Sequence, residues 1–193
     1  MLLLDVMGTL VRDPFYDVVP EFFGMSLDEL IAVKHPDAWV AFERDHIDEP
    51  RMLADFFADG RDYDRDGLVA AMKAAYDWLP GIAPLLGRLS AAGVEMHTLS
   101  NYPQWWRYIE DSLTLSRWVR WTFVSCKTGL RKPERAAYRQ ALAALGVRPD
   151  EAIFVDDRED NCTAARAEGI DAIRFRDADT LTRALAQRAV PLA

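Results

Sequence analysis

The rhythm of hydrophobic and polar positions changes near residue 80. Beyond that point, segments with helical apolar spacing alternate with short apolar runs. Residues 82–92 carry a helical pattern ended by Gly93, and 94–99 read as a strand. A further apolar run covers 121–125, a helix covers 134–145 up to Gly146, and another strand covers 152–155. A helix over 161–168 stopped by Gly169, a strand over 172–175 and a final helix complete the series. At the front, Leu2-Leu3-Leu4 adds one more strand. Strands alternating with helices predict βαβ crossovers and a parallel sheet of about five strands.

The stretch from 12 to 79 reads differently and shows no strand. Ser26-Leu27-Asp28-Glu29 is a capping box that opens a helix toward Lys34. Residues 38–47 and 49–58 have apolar positions at helical spacing, and 67–79 predict a last helix. The expected organisation is therefore α/β: a Rossmannoid core formed by 1–11 and 80–193, with a small all-helical cap over 12–79 inserted after the first strand. The cap is rich in aromatics, among them Phe15, Tyr16, Phe22, Phe23, Trp39, Phe42, Phe56 and Phe57. Most are expected in the core, with one or two left to face a substrate.

Composition narrows the partners. The chain has 193 residues, 28% of them charged, with a net charge of -8. An acidic protein lacks the clustered cations that non-specific nucleic-acid or anionic-membrane binding needs. No apolar run approaches the length of a membrane span. The two cysteines, Cys126 and Cys162, have no metal-ligand spacing, and free thiols suit a reducing compartment. The expectation is a cytoplasmic protein that binds neither nucleic acid nor membrane. A cap of this kind would serve a homodimer interface as readily as a substrate.

In an open parallel sheet, ligands bind beyond the carboxyl ends of the strands. Four polar features fall there in order: Asp5, Ser100-Asn101, Lys132 and Asp156-Asp157. Each alone is ordinary, because a strand-end carboxylate often only caps the next helix. Together they suit phosphoryl transfer. Asp5 can attack phosphorus and form an aspartyl-phosphate. Asp5, Asp156 and Asp157 would repel one another, and an oxygen-ligated Mg²⁺ would relieve that repulsion. Lys132 would neutralise phosphate charge, Ser100 and Asn101 could donate to phosphoryl oxygens, and Gly8 lets the backbone approach the ligand.

These residues lie in recognisable runs. DVMGTLV, LSNYP, GLRKPERAAY and FVDDREDN resemble the four motifs of the haloacid dehalogenase (HAD) superfamily, and together they cover nearly the whole chain. The resemblance implies that Asp5 is the nucleophile, with Lys132 as its catalytic partner. It implies phosphate contacts from Gly8, Thr9, Ser100, Asn101 and Lys132, and Mg²⁺ held by Asp5, residue 7, Asp156 and Asp157. Asn161 occupies a position where many members carry another acid.

One position departs from the pattern. Phosphatases of the superfamily usually have a general acid-base Asp two residues after the nucleophile, and this chain has Met7. A thioether cannot shuttle a proton, although the backbone carbonyl of Met7 could still bind a metal. Losing acid-base help typically costs about 10²–10⁴-fold in rate. Glu43, His35 and His46 are candidate substitutes from the cap. Dehalogenases of the superfamily also lack that Asp, but they need no metal and usually replace the paired acids of the fourth motif.

Longer runs, including DVMGTLVRDPFYDVVPEFFGMSLDEL, KHPDAWVAFE, FFADGRDYD and WTFVSCKTGLRKP, resemble plant chloroplast flavin mononucleotide (FMN) hydrolases and their bacterial relatives. That similarity extends to the Met and implies a phosphohydrolase acting on a small phosphomonoester such as FMN. The alternatives are a metal-independent dehalogenase and a catalytically weakened binding protein on the same scaffold.

Overall fold

The computed structural model describes residues 1–193. Five parallel strands form one sheet in the order β3-β2-β1-β4-β5. They are β1 (Leu2–Leu4), β2 (Met96–Ser100), β3 (Arg120–Val124), β4 (Ile153–Asp156) and β5 (Asp171–Arg174). β1 and β2 are buried along their whole length, as expected for central parallel strands covered on both faces. In register, Leu4 pairs with Thr98 on one side and Val155 on the other. The residues that follow these strands therefore meet at one edge of the sheet.

Five helices precede the second strand's own crossover helix: α1 (Val18–Phe23), α2 (Leu27–Val33), α3 (Ala38–Glu43), α4 (Glu49–Ala54) and α5 (Arg65–Ala75). The remaining helices flank the sheet: α6 (Ile82–Ala91), α7 (Trp106–Leu113), α8 (Ser125–Thr128), α9 (Arg135–Leu145), α10 (Glu159–Ala167) and α11 (Ala178–Gln187). The five-strand α/β reading holds, and each strand lies within two residues of its expected bounds. The Ser26 capping box forms, with the Ser26 N–H donating to Glu29 and the Glu29 N–H donating to Ser26 Oγ.

The helices differ more from expectation. α1 carries Pro20 at its third position, where no intrahelical N–H is required, so the proline does not prevent a helix. α3 stops at Glu43 because Asp45 turns left-handed at φ 61°. α4 stops at Ala54, short of 58, and Phe56 and Phe57 enter an aromatic cluster with Phe23 and Tyr63 at centroid distances of 4.9–5.7 Å. Such edge-on and tilted contacts suit aromatic packing. No helix is long and apolar enough to cross a membrane.

Candidate active site

Asp5 leaves β1 with its N–H donating to Val155 O at 2.9 Å, which fixes the backbone beside β4. The chain then turns back at Gly8, whose φ of 74° is in the left-handed region that glycine adopts without strain. A Cβ at position 8 would stand 2.9 Å from Asp157 Oδ2, so the turn packs directly against that carboxylate. Thr9, fully buried, ties the two acids together. Its hydroxyl lies 3.4 Å from Asp5 Oδ2 as donor and accepts the Asp157 N–H at 3.1 Å. Thr9 was expected to touch phosphate, but this hydroxyl is committed inside the protein.

Lys132 is 2% exposed and bridges two carboxylates. Its Nζ donates to Asp5 Oδ1 at 2.7 Å and to Asp156 Oδ2 at 2.5 Å. Asp156 is saturated further by the Asn161 amide, at 3.1 and 3.0 Å, and by the Arg158 N–H at 2.8 Å. Asp157 has no such neighbours: its backbone is held by Thr9 and Arg174, and its carboxylate faces the cleft without a protein donor. Carboxylate oxygens of Asp5, Asp156 and Asp157 lie within 4.8 Å of one another.

Burial pushes the Asp5 carboxyl upward, Lys132 pulls it back, and Asp156 and Asp157 add to the rise. Asp157 is raised by burial and by Asp156, against the pull of Lys132. The Lys132 ammonium is held above its usual value: burial opposes it, but the charges of Asp156 and Asp5 outweigh burial. Three acids facing one lysine leave an excess of negative charge that a divalent cation would neutralise. The donor set is all oxygen, and Asp157 has free lone pairs, so the residues fit Mg²⁺.

The second-strand residues divide their work. Asn101 was expected to donate to phosphate. Instead its amide clamps the Lys132 backbone, donating to Lys132 O at 2.8 Å and accepting the Lys132 N–H at 2.7 Å. Ser100 is 3% exposed, and its hydroxyl has no partner within the protein. A buried hydroxyl is rarely left unsatisfied, and this one borders a small side cavity next to Lys132, not the cleft that holds Asp5 and Asp157.

Asp5, Lys132 and Asp157 lie at the floor of a cleft of about 450 Å³. Met7 and Gly8 border it beside Asp5. The far wall comes from Phe15, Tyr16, Lys34 and Trp39, and from Asp13 and Arg12 on the segment after the turn. Arg131 closes one side. It forms an ion pair with Glu43 at 2.8 Å, and Glu43 also accepts from Trp39 Nε1 at 2.7 Å. Glu43, named from sequence as a proton-donor candidate, is thereby committed. His35 spends Nδ1 on the N–H groups of Asp37 and Ala38, each at 3.1 Å, and His46 is exposed away from the cleft. Sequence reading passed over Asp13, Arg12, Lys34 and Arg131. The Asp13-Pro14 pair was the one local signal, because it marks a capped turn.

A family model for haloacid dehalogenase-like hydrolases matches residues 2–169. The chain belongs to this hydrolase family. Among curated relatives, flavin mononucleotide hydrolase 1 of the Arabidopsis thaliana chloroplast is 45% identical over 185 residues, covering 96% of this chain and 76% of the relative. Phosphoglycolate phosphatase 1 of Pseudomonas aeruginosa is 32% identical over 94 residues, which is 47% of this chain and 34% of the relative. A HAD-family enzyme from Bacteroides thetaiotaomicron, solved with magnesium and inorganic phosphate, superposes with a TM-score of 0.71 at 20% identity, covering 93% of this hydrolase and 97% of that chain. L-2-haloacid dehalogenase from Xanthobacter autotrophicus, with covalently bound chloropropionic acid, gives 0.66 at 18% identity, covering 98% and 83%. Both structural likenesses establish the HAD fold. The cytoplasmic assignment made from thiol usage is withdrawn, because the 45% identical relative is a chloroplast enzyme. Two free cysteines do not identify a compartment.

Proposed function

We propose that this hydrolase is a Mg²⁺-dependent phosphatase that releases phosphate from FMN through an aspartyl-phosphate at Asp5. The observation that carries the proposal is the cluster of Asp5, Asp156 and Asp157 around buried Lys132. A halide-releasing enzyme needs only a carboxylate nucleophile and has no use for this excess of negative charge.

Asp5 Oδ2 is the freer oxygen, held only by a long Thr9 contact, and is the attacking atom. Lys132, held in place by the Asn101 clamp and by Asp156, offsets charge on the incoming phosphoryl group. Asp5, Asp157 and the Met7 carbonyl would hold Mg²⁺, with Asp156 directing Lys132 between them. The ion would supply charge neutralisation at the transferring phosphoryl group.

The substrate assignment draws on the 45% identical FMN hydrolase and on the cleft itself. Its volume of about 450 Å³ is within the usual range for small-molecule sites, roughly 300–1,000 Å³. Trp39, Phe15 and the 59% exposed Tyr16 offer aromatic surfaces to a flavin ring. Residues 12–79 act as the cap that supplies this wall. Purified protein with Mg²⁺ should convert FMN to riboflavin and phosphate, separated chromatographically. EDTA should stop the reaction and Asp5→Asn should abolish it. Absence of phosphate release from FMN and from a panel of phosphomonoesters would reject the proposal.

A further inference from the structure

Met7 leaves the nucleophile without its usual proton-transfer neighbour, yet an alcohol leaving group needs a proton and the attacking water must lose one. Four carboxylates border the cleft: Asp5, Asp13, Glu43 and Asp157. Asp5 is the nucleophile in the reading above, and Asp157 belongs to the acidic cluster. Glu43 is held in its ion pair with Arg131 and by Trp39. Asp13 remains.

Its position is fixed by the local backbone. The Arg12 N–H donates to Asp77 O at 2.9 Å, anchoring the chain after the Gly8 turn. Pro14 then opens a short 3-10 turn over Pro14–Tyr16, and Asp13 caps it by accepting the Phe15 N–H on Oδ1 at 3.0 Å. That bond uses one oxygen. The neighbouring Arg12 guanidinium turns to Asp17, so Asp13 has no ion-pair partner and Oδ2 has no protein donor. A partly buried carboxylate with a free oxygen, on the wall of the cleft that holds the nucleophile, is a group built for an exchangeable proton.

We infer that Asp13 is the general acid and base of this enzyme, in the role that Met7 cannot fill. The inference rests on the phosphatase reading above. In the first half-reaction, the Asp5 carboxylate bonds to phosphorus, the bond from phosphorus to the ester oxygen breaks, and the Asp13 carboxyl gives its proton to that oxygen. The products are the free alcohol and aspartyl-phosphate. In the second, Asp13 carboxylate takes a proton from water as the water oxygen bonds to phosphorus and the Asp5–phosphorus bond breaks. This releases inorganic phosphate and restores both residues. Burial raises the Asp13 carboxyl to about 6, with Asp157, Asp17 and Glu43 pushing the same way against the Phe15 N–H. A group titrating there can both give and take a proton near neutral pH.

The test uses the Mg²⁺-loaded enzyme and Asp13→Asn, which keeps an oxygen to cap Phe15. Two substrates separate the roles: FMN, whose alkoxide needs a proton, and p-nitrophenyl phosphate, whose leaving group does not. The variant should lose about 10²–10⁴-fold in FMN turnover. With p-nitrophenyl phosphate it should release its first equivalent of nitrophenolate at the wild-type rate and then slow, because the water-activating base is gone. Asp13→Ser, which can also cap the turn, should give the same split if the Asn variant folds poorly. Wild-type FMN turnover in these variants would overturn the inference. So would loss of the first nitrophenolate equivalent together with FMN turnover, which marks a structural role. If the wild-type enzyme spares FMN but hydrolyses another alkyl phosphate, the substrate reading fails and Asp13 is judged on that ester. If it hydrolyses no alkyl phosphate, both fail.

Discussion

Replacing Lys132 with Met removes a buried cation while keeping most of the side-chain volume. In the protein, Lys132 Nζ lies 2.7 Å from Asp5 Oδ1 and 2.5 Å from Asp156 Oδ2. Without it, and without metal, Asp5, Asp156 and Asp157 face one another unneutralised. Removing one partner of a buried ion pair costs about 3–5 kcal/mol. The loss has a ceiling, because a carboxylate can take a proton instead. Protonating one such group from its ordinary value of 3.8 costs about 1.4 kcal/mol per pH unit, hence about 6 kcal/mol at pH 8 and about 2 kcal/mol at pH 5.5. The sign follows from the same exchange. Asp5 and Asp157 are already raised in the folded state, and loss of the Lys132 charge raises them further, so the folded chain holds protons that the unfolded chain releases, and stability falls as pH rises. The deficit of Lys132→Met relative to wild type should be about 3–5 kcal/mol at pH 8 and at most about 2 kcal/mol at pH 5.5. Urea unfolding in EDTA, followed by tryptophan fluorescence at both pH values, measures it. A variant as stable as wild type at pH 8, or a deficit that grows as pH falls, would refute the reasoning.

Further outcomes follow from single contacts. Gly8→Ala places a methyl 2.9 Å from Asp157 Oδ2 on a left-handed backbone, so the Mg²⁺ concentration for half-maximal activity should rise about 10-fold or more; an unchanged metal titration would count against Asp157 as a ligand. Asp13→Asn should stabilise the metal-free protein by about 3 kcal/mol at pH 8 and by less than about 1 kcal/mol at pH 4, because the folded carboxyl titrates near 6 and the unfolded one near 3.8; thermal melts at the two pH values check this. Glu43→Gln weakens the 2.8 Å pair with Arg131 that joins α3 to the loop before Lys132, and because Arg131 is part-exposed at the cleft, stability should fall by about 1–3 kcal/mol in urea titrations.

The sheet and its order of chemistry were legible because they depend on local pattern. Leu2–Leu4 is a central strand, and central parallel strands are apolar throughout, so Asp5 stands out as the first charge after it. Gly8 and the Ser26 capping box are likewise local signals with local causes. The division of labour inside the site was not legible, since it depends on partners far away in sequence. Asn101 reads as a phosphate donor until the Lys132 backbone, 31 residues on, takes both ends of its amide. Glu43 reads as a free acid until Arg131, 88 residues away, pairs with it. Asp156 and Asp157 look equivalent as neighbours. Lys132 and Asn161 saturate the first, while the second faces the cleft. Helix α7 was not expected from the sequence; just before it, Trp105 packs on Phe42 with ring centroids 5.7 Å apart, a contact across 63 residues of chain.

The central claim is that phosphorus, carried on Asp5, is the centre that water attacks. Turnover of FMN in H₂¹⁸O, with mass analysis of the phosphate and of the peptide containing Asp5, tests it most directly. The account predicts ¹⁸O in the released phosphate, none in Asp5 after many turnovers, and no reaction in EDTA. Incorporation of ¹⁸O into the Asp5 carboxylate, with halide released from 2-chloropropionate in the presence of EDTA, would contradict it and mark a carbon–halogen hydrolase.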